Sequence, residues 1–366
     1  MKLLFNVMTL KKGGAERVIN ILANDFAIDN DVEILTSFKD EISYDFKKNI
    51  KISCLEKMNK NRFLIILSRF SIIKLLRLEK EITRINPDII ISFLPEPSLR
   101  ISILKHFSKR MKEIPVIIAE RNDPNVEYRN AIVRLVVKKF FKDIEYFIFQ
   151  TNDAANFFDG IVKKYEIIDN PIDDKFLKTN YNGIESKRII SVGRLCEQKN
   201  QTMLINAFYE FHRKNPEYYL DIYGEGSLYN KLYDNIEKLN LQSSVFLRNN
   251  VDNIQKELEK SEMFILSSKY EGMPNALIEA MVVGVPCIST DCPCGGPRSL
   301  IINNYNGFLI ETNDDNQLIE CMQKLSSDIN LRKKISNNSQ CIVNRVKKDV
   351  VIKKWREIIN KISERE

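Results

Sequence analysis

The chain has 366 residues, of which 44% are hydrophobic and 29% charged, and this composition is typical of globular proteins. Its length favours two domains rather than one. Seven cysteines are an odd number without the spacing of a disulfide framework, so we expect free thiols and a reducing compartment. The N-terminus lacks the apolar core of a signal peptide, and the longest apolar stretch, Phe63 to Leu78, is interrupted by three basic side chains. We therefore expect a cytoplasmic protein without a membrane-spanning helix.

The positive charge is concentrated in one part of the sequence. The net charge is +7, but the segment from Lys57 to Lys142 alone contains 19 lysines and arginines against 8 aspartates and glutamates. A basic segment rich in Ile, Leu and Phe suits an anionic membrane surface. Solvated outer faces of ordinary helices explain the charge equally well, and nucleic acid is disfavoured because no binding motif accompanies it. We expect peripheral contact with the inner face of the plasma membrane.

Short apolar runs alternate with longer segments of helical periodicity along the whole chain, a pattern typical of strand-helix units on parallel sheets. The predicted strands are Leu3 to Val7, Val32 to Thr36, Ile50 to Leu55, Ile89 to Phe93, Val116 to Ala119, Tyr146 to Gln150, Arg188 to Val192, Tyr219 to Tyr223, Val245 to Leu247, Met263 to Leu266, Pro286 to Ser289 and Gly307 to Ile310. We predict an α/β protein with two Rossmann-like, doubly wound parallel-sheet domains that face each other across a cleft.

The boundary between the halves is marked by turn-forming residues. They cluster between Asn170 and Ser186 and predict a linker at about residues 170–187. The predicted domains are therefore residues 1–170 and residues 188–345. Residues 346–366 carry apolar residues at helical spacing around Trp355 and predict a final helix.

Loops that follow strands are the candidate sites, because parallel sheets bind ligands beyond the carboxyl ends of their strands. In the first half, Gly13 and Gly14 open an amphipathic helix, and a helix N-terminus favours an anion, although a plain turn explains the pair as well. In the second half, Gly193, Arg194 and Lys199 share one loop. Two cations beside a helix N-terminus suit a diphosphate, and a solvated surface pair is the alternative.

Two later loops carry further polar residues. Gly224 and Glu225 follow a strand and offer a small wall for a base or a phosphate. Glu271 and Glu279 are eight residues apart, and Pro274 between them predicts a helix start. Glu271 then lies in the loop and Glu279 one turn inside the helix. Carboxylates accept hydrogen bonds from sugar hydroxyls, although exposed acids at a helix start have the same pattern.

The sequence does not favour a metal site. Cys292 and Cys294 would supply two ligands, but a zinc site needs about four and the chain contains only two histidines. The segment Asp29-Asn30-Asp31 falls between the first helix and the second strand, and we interpret it as a turn. We expect neither a metal nor a cofactor.

In this order, the motifs resemble those of the retaining glycosyltransferases of family four, which have the two-domain GT-B fold. The resemblance covers nearly the whole chain and is most specific between residues 188 and 310. It implies three catalytic residues: Arg194 and Lys199 hold the donor diphosphate, and Glu271 contacts the donor sugar. It also implies that the final helix crosses back onto the first domain.

The resemblance assigns further residues to the donor. Glu279 is expected to bind the ribose hydroxyls, and Gly14 to present its N–H to the diphosphate from the first domain. The implied donor-binding residues are Gly14, Gly193, Arg194, Lys199, Gly224, Glu225, Gly272, Met273, Pro274, Asn275, Ala276 and Glu279.

The first half departs from the family in the loop after Val116 to Ala119. Many relatives have a histidine there, whereas this chain has Glu120 and Arg121. Acid-base help from a histidine therefore does not transfer to this sequence. We take Glu120 and Arg121, together with Glu96, as candidates for contact with the acceptor or a phosphate.

The implied activity is metal-independent transfer of a hexosyl group from a nucleotide-diphosphate sugar, with a UDP-sugar as co-substrate and retention of anomeric configuration. The basic segment adds the expectation of a lipid-linked glycan acceptor in the synthesis of a cell-surface polysaccharide such as capsule or O-antigen. A nucleotide-sugar epimerase of the same fold and a non-catalytic membrane-surface interaction protein are the alternatives. The convergent cations and carboxylates favour transfer.

Overall fold

The computed structural model describes residues 1–57, 72–179 and 181–364. The chain divides into two compact units. The first unit consists of Met1–Pro171 together with Asp349–Glu366, and the second of Ile172–Lys348.

The described part of the first unit is built on a parallel sheet of seven strands in the order β3-β2-β1-β4-β5-β6-β7. Its strands are β1 (Lys2–Val7), β2 (Asp31–Lys39), β3 (Lys51–Lys57), β4 (Ile89–Phe93), β5 (Val116–Ala119), β6 (Tyr146–Phe149) and β7 (Tyr165–Ile167). The central strands are continuous apolar runs because helices cover both faces of the sheet, and every residue of β4, β5 and β6 is buried.

Helices connect these strands. They are α1 (Gly14–Phe26), α2 (Ile72–Ile85), α3 (Pro95–Phe107), α4 (Lys109–Glu113), α5 (Pro124–Glu127), α6 (Ala131–Phe140) and α7 (Asn152–Phe157), with a 3-10 turn at Phe141–Asp143. In α1, buried residues recur at helical spacing from Val18 to Phe26, so one face of the helix packs on the sheet.

The second unit has a parallel sheet of six strands in the order β10-β9-β8-β11-β12-β13. Its strands are β8 (Arg188–Val192), β9 (Tyr219–Tyr223), β10 (Val245–Arg248), β11 (Met263–Leu266), β12 (Cys287–Thr290) and β13 (Phe308–Ile310). Its helices are α8 (Gln201–His212), α9 (Tyr229–Lys238), α10 (Ile254–Glu259), α11 (Asn275–Val283), α12 (Gly296–Leu300), α13 (Asp315–Ser327), α14 (Ile329–Ser339) and α15 (Val343–Val346), with 3-10 turns at Asp174–Phe176 and Gln340–Ile342.

The last helix, α16 (Lys348–Ser363), belongs to the core of the first unit. Its apolar face is centred on Trp355, whose ring stacks on Phe93 at the end of β4 with 5.9 Å between ring centroids. Arg356 on the same helix donates to the carboxylates of Asp25 in α1 (2.8 Å) and of Asp29 just beyond it (2.5 Å). The helix is therefore fixed to the first unit by apolar burial and by an ion-pair cluster.

The prediction of two parallel-sheet α/β domains is confirmed, with differences in detail. Strand β7 was not predicted, because its three residues are exposed or half-buried and carry no run of apolar side chains. The predicted linker is not free chain: Ile172 and Phe176 are buried in the core of the second unit. The apolar stretch from Phe63 to Leu78 lies partly outside the described residues. Within the residues described, no helix combines the length and the hydropathy that a membrane span requires.

Candidate functional site

The strand order of the second sheet fixes where its loops converge. The chain winds from β8 outward to β10 and then returns to β11 on the other side of β8. Ligands of doubly wound sheets bind at the carboxyl ends of the strands where the winding reverses. The loops after β8 and β11 meet at this point, and they contain the three predicted catalytic residues and half of the predicted donor-binding residues.

Lys199 and Glu271 form the centre of this edge. Lys199 Nζ lies 2.5 Å from Glu271 Oε1, and the hydroxyl of Ser268 donates to the same oxygen at 2.6 Å. The side chains are only 15% and 8% exposed, so solvent screens the ion pair weakly. The structure therefore brings together a predicted phosphate-binding cation and the predicted sugar-binding carboxylate.

The loop after β8 is tied to the loop after β11 by further hydrogen bonds. Gln198 Nε2 donates to the Tyr270 carbonyl at 2.9 Å, and the Lys269 N–H donates to the Gln198 carbonyl at 2.8 Å. Arg194 is exposed, and its Nη2 donates to the Gln198 side chain at 3.2 Å. Arg194 can therefore turn toward an anion at this edge with the loss of one exposed hydrogen bond.

Gly224 packs closely against the backbone of the loop after β8. A Cβ atom at this position would lie 1.9 Å from the carbonyl oxygen of Gly193, because the two loops cross there. The Gly193 N–H donates to the Tyr223 carbonyl at 2.9 Å, and the Leu195 N–H donates to the Glu225 carbonyl at 2.9 Å. The loop containing Gly224 and Glu225 thus supports the loop that carries Arg194 and Lys199.

The segment after Glu271 leads into α11. Gly272, Met273 and Pro274 are buried, and the helix begins at Asn275 with Ala276 in its first turn.

Glu279 lies inside α11, one turn beyond its start, and is 3% exposed. A second glycine contact holds the preceding loop: a Cβ on Gly296 would lie 1.6 Å from the Gly272 carbonyl oxygen. The backbone from Gly272 onward is therefore fixed between two neighbouring loops.

The two cysteines beyond β12 are buried beside this site. The Cys294 N–H donates to the Glu271 carbonyl at 2.9 Å. Burial, together with the nearby Glu271 carboxylate, raises the pKa of the Cys292 thiol to about 12. A thiol that keeps its proton is a poor nucleophile. Among the described residues, no group of three His, Cys, Asp or Glu side chains is arranged to hold a metal ion.

Gly14 and Glu96 lie in the first unit. Gly14 is the exposed first residue of α1. The preceding Gly13 donates its N–H to the Tyr44 hydroxyl at 3.0 Å, and that hydroxyl donates to the Gly13 carbonyl at 2.7 Å. Glu96, in the first turn of α3, is ion-paired with Arg100.

Glu120 and Arg121 follow β5 directly. The Tyr128 hydroxyl donates to Glu120 Oε1 at 2.6 Å, and burial raises the pKa of Glu120 to about 7. The Arg121 guanidinium lies over the rings of Phe93 and Trp355, and burial lowers the pKa of Arg121 to about 9. The apolar surroundings therefore shift both pKa values toward neutral pH, that of Glu120 upward and that of Arg121 downward.

Sequence inspection missed the residues that hold the candidates in place. Ser268 and Gln198 orient Glu271 and the two loops, and Phe93 and Trp355 together pack against Arg121. Two consecutive serines directly after β11 were a usable signal, because polar side chains at the carboxyl end of a buried strand face the ligand edge. The stacking of Arg121 had no local signal, since Trp355 is distant in sequence.

Comparison with known proteins agrees with this geometry. The family model described as glycosyl transferases group 1 matches residues 175–341. An uncharacterised glycosyltransferase of Methanocaldococcus jannaschii is 30% identical over 366 residues, covering 84% of this chain and 87% of that protein.

Two further proteins are similar over nearly the full length. One is an alpha-1,4-N-acetyl-D-galactosaminyltransferase of Campylobacter jejuni, named for GalNAc-alpha-(1->4)-GalNAc-alpha-(1->3)-diNAcBac-PP-undecaprenol. It is 27% identical over 356 residues, covering 93% of both chains. The crystal structure of Staphylococcus aureus TarM in complex with UDP superposes with a TM-score of 0.78 at 17% identity, covering 98% of this chain and 100% of that one, and shows a shared fold. The chain belongs to the group 1 glycosyltransferases, the family-four type with the GT-B fold.

Proposed function

We propose that the protein transfers a hexosyl group from a UDP-sugar to a lipid-linked glycan acceptor, with retention of anomeric configuration, in the synthesis of a capsule-like or O-antigen-like surface polysaccharide. The observation that carries this proposal is the Lys199–Glu271 pair at the reversal point of the second sheet. In this member of a glycosyltransferase family, the pair places a cation and a carboxylate side by side at the edge of the sheet where ligands bind. Residues 188–345 are proposed as the donor-binding domain and residues 1–170 as the acceptor-binding domain, with residues 346–366 completing the latter.

The chemistry requires opposite charges at two places. Departure of the nucleotide diphosphate leaves negative charge on its oxygens and positive character on the anomeric carbon of the sugar. Lys199 and Arg194 stabilise the diphosphate in this proposal, and Glu271 stands beside the sugar. Because Lys199 and Glu271 are paired in the structure, the bound donor exchanges that contact for one with each partner. The acceptor oxygen then bonds to the anomeric carbon on the face that the diphosphate leaves, and the hydroxyl proton passes to the departing phosphate.

The remaining donor residues are assigned by position. The backbone from Gly272 to Ala276 lies along the sugar, Glu279 accepts the ribose hydroxyls, and Gly14 directs its N–H to the diphosphate. Glutamates distinguish hydroxylated ligands because each carboxylate oxygen accepts more than one hydrogen bond. Arg194 and Lys199 together supply the charge that a divalent cation provides in other transferases, so the proposed reaction is metal-independent. Undiminished turnover in excess EDTA is the expected result.

The acceptor proposal rests on the relative and on the surface of the first unit. The Campylobacter protein is named for an undecaprenol diphosphate-linked glycan. Helix α6 of this chain exposes Ile132 (72%) and Leu135 (67%) and has two lysines in its last turn. Helix α2 exposes Ile72 (73%) and Ile73 (63%), and α2 and α6 both pack against α3. Apolar and basic side chains together suit an anionic lipid surface, so we propose peripheral binding to the inner face of the plasma membrane.

A thermal-shift panel of UDP, GDP and their common sugar conjugates tests the donor assignment. A nucleotide should stabilise the wild type, and the shift should vanish in the Arg194→Ala/Lys199→Ala variant. No response of the wild type to any nucleotide would reject the mechanism. Anomeric analysis of the product by NMR tests retention.

Flotation with anionic vesicles tests the membrane contact. Ile132→Ser/Leu135→Ser should reduce flotation, whereas Ile302→Ser, which alters a side chain of the second unit that is 64% exposed, should not. Equal flotation of all three proteins would remove the membrane surface from the proposal.

A further inference from the structure

The carboxyl edge of the first sheet contains buried polar atoms that the proposed donor chemistry does not use. In the part of the chain that the structure describes, Arg121 Nε, Arg121 Nη2 and Trp355 Nε1 are buried without a hydrogen-bond partner. Buried polar groups in folded proteins are hydrogen-bonded in the great majority of cases. Three unsatisfied donors on two residues in contact therefore indicate a site for an electron-rich ligand.

Arg121 is held in one orientation before any ligand binds. Its guanidinium carbon lies 5.1 Å from the centroid of the Phe93 ring and 5.6 Å from that of Trp355. Its Nη1 donates to Asn170 Oδ1 at 2.9 Å, and the same oxygen accepts from Gln150 Nε2 at 2.5 Å. Stacking and this hydrogen bond fix the plane of the guanidinium and its rotation within the plane.

The unsatisfied atoms have the geometry of an anion site. Nε and Nη2 lie on one edge of the guanidinium, where two N–H groups point in parallel and match two oxygens of a phosphate. Trp355 adds the indole N–H, which can only donate. All three groups are donors, so the site selects an acceptor-rich anion.

No acidic side chain of the described residues forms an ion pair with Arg121. The neighbouring Glu120 attracts the guanidinium electrostatically, but its Oε1 accepts from Tyr128 and its buried Oε2 has no hydrogen-bond partner. A guanidinium with buried nitrogens and no ion-pair partner is energetically unfavourable, and a bound anion would supply that partner. The second unit has cations of its own, Arg194 and Lys199, for the donor.

We propose that Arg121 and Trp355 form a subsite of the first unit that binds a phosphoryl group of the acceptor's diphosphate. The identity of the acceptor rests on the proposed function, whereas the presence of an anion subsite does not. The C-terminal helix thereby contributes a ligand-binding residue to the first unit, in addition to its apolar face.

The chain contains its own probe for this subsite. Trp355 is the single tryptophan, so the intrinsic fluorescence reports on the ring that contacts Arg121. Inorganic pyrophosphate titrated into the full-length wild type should change the emission in a saturable way. The same titration should succeed in Arg194→Ala/Lys199→Ala, where the proposed donor cations are absent. No change in emission during pyrophosphate binding measured by calorimetry would overturn the subsite.

Variants of Arg121 separate the paired N–H groups from the charge. Arg121→Gln and Arg121→Lys should each weaken pyrophosphate at least about tenfold, because both lose the paired N–H groups and the lysine keeps the charge. The matched control is Arg84→Gln: Arg84 Nε and Nη2 already bind Glu81 and Glu33, so pyrophosphate affinity should remain that of the wild type.

The two sources of a diphosphate are distinguished by UDP. UDP affinity should be unchanged in Arg121→Gln and lost in Arg194→Ala/Lys199→Ala. A loss of UDP affinity in Arg121→Gln with unchanged pyrophosphate binding would assign Arg121 to the donor and overturn the proposal. Unchanged UDP binding in the double variant would instead reject the donor site of the proposed function, and the pyrophosphate result would stand independently. The wild-type fluorescence titration tests the subsite even where a variant does not fold.

Discussion

The carboxyl edges of the two sheets are built in opposite ways. In the second unit, Lys199 and Glu271 neutralise each other, and backbone hydrogen bonds tie the surrounding loops together. In the first unit, the half-buried Arg121 packs against aromatic rings, and its buried, paired N–H groups lack any acceptor among the described residues. A self-paired edge is stable without ligand and must open an ion pair to bind one. An unpaired edge is preorganised for a ligand, and stability is lost while none is bound.

The largest effect is expected from a substitution that disrupts the close contact between two loops of the second unit. Gly296→Ala places a Cβ 1.6 Å from the Gly272 carbonyl oxygen, so one of the two loops must move. We expect a loss of at least about 3 kcal/mol in the free energy of unfolding and loss of the nucleotide response. Thermal unfolding with and without UDP measures both. Gly160→Ala is the control: it has open space and a positive φ of 71°, and should cost about 1 kcal/mol. Equal stability of Gly296→Ala and wild type would contradict the loop contact.

The next largest effect is the pH dependence of stability caused by the buried carboxyl group of Glu120 in the first unit. Burial raises the pKa of Glu120 from 4.5 to about 7, partly offset by the hydrogen bond from Tyr128. Below the lower value the carboxyl is protonated in both the folded and the unfolded chain. Between the two values only the unfolded chain loses the proton, so the free energy of unfolding falls as pH rises. Above about pH 7 the full loss, up to about 3 kcal/mol, is present.

Glu120→Gln removes this titration and keeps an oxygen for the Tyr128 hydroxyl. We expect the variant to have a higher Tm than wild type at about pH 8 and a similar Tm at about pH 4.5. Differential scanning calorimetry across this range measures the difference. Glu113→Gln, at an exposed position, should follow the wild type at every pH. A constant offset between Glu120→Gln and wild type would disprove the raised pKa.

Lys199→Ala opens the ion pair of the second unit. The variant loses a charge-assisted contact and leaves Glu271 with the Ser268 hydroxyl alone at Oε1. We expect a loss of about 1.5–3 kcal/mol of transition-state stabilisation, or ten- to a hundredfold in turnover. Steady-state kinetics with the donor found by thermal shift measures it. Lys231→Ala removes an exposed lysine paired with Glu197 and should change turnover little. Full activity of Lys199→Ala would refute its role at the diphosphate.

The smallest effect concerns the helix that completes the first unit. Arg356→Gln removes ion pairs to Asp25 and Asp29 and a contact 5.3 Å from the Phe26 ring centroid. We expect a loss of about 1 kcal/mol, because the arginine is partly exposed. Chemical denaturation followed by Trp355 fluorescence reports on the helix directly. Arg213→Gln, which breaks a more exposed pair with Glu210, should cost less. An equal cost for both variants would show that the Asp25 and Asp29 contacts are not important for anchoring α16.

Sequence periodicity predicted the sheets because parallel strands buried on both faces are continuous apolar runs. Strands such as β5 and β11 agree with the structure residue for residue. The three-residue edge strand β7 was missed, since an exposed edge imposes no apolar pattern. The segment before β8 was expected to be a linker, but Ile172 and Phe176 pack into the core. Their burial depends on contacts with residues distant in sequence, whereas the turn-forming residues around them predicted an exposed linker.

The residues of the candidate site likewise divide into those that the sequence predicted and those that only the structure revealed. The loop positions of Arg194, Lys199 and Glu271 were predictable because each follows a recognisable strand. Their partners Ser268 and Gln198 were not, since hydrogen bonds between two loops depend on the strand order. Gly224 was interpreted as a phosphate wall, whereas its contact with Gly193 gives it a packing role that only three-dimensional structure reveals.

By itself the sequence determined the α/β class, the two parallel sheets, the family and the loops that carry charge, because each is written in local periodicity or in a short ordered motif. Only the tertiary structure decided which charges are paired. It placed Lys199 against Glu271 and left Arg121 against the rings of Phe93 and Trp355 with two of its nitrogens unpaired. The reason is physical: burial and hydrogen bonding depend on which distant segments the fold brings together, and these determine the charge state and the ligand preference of each side chain.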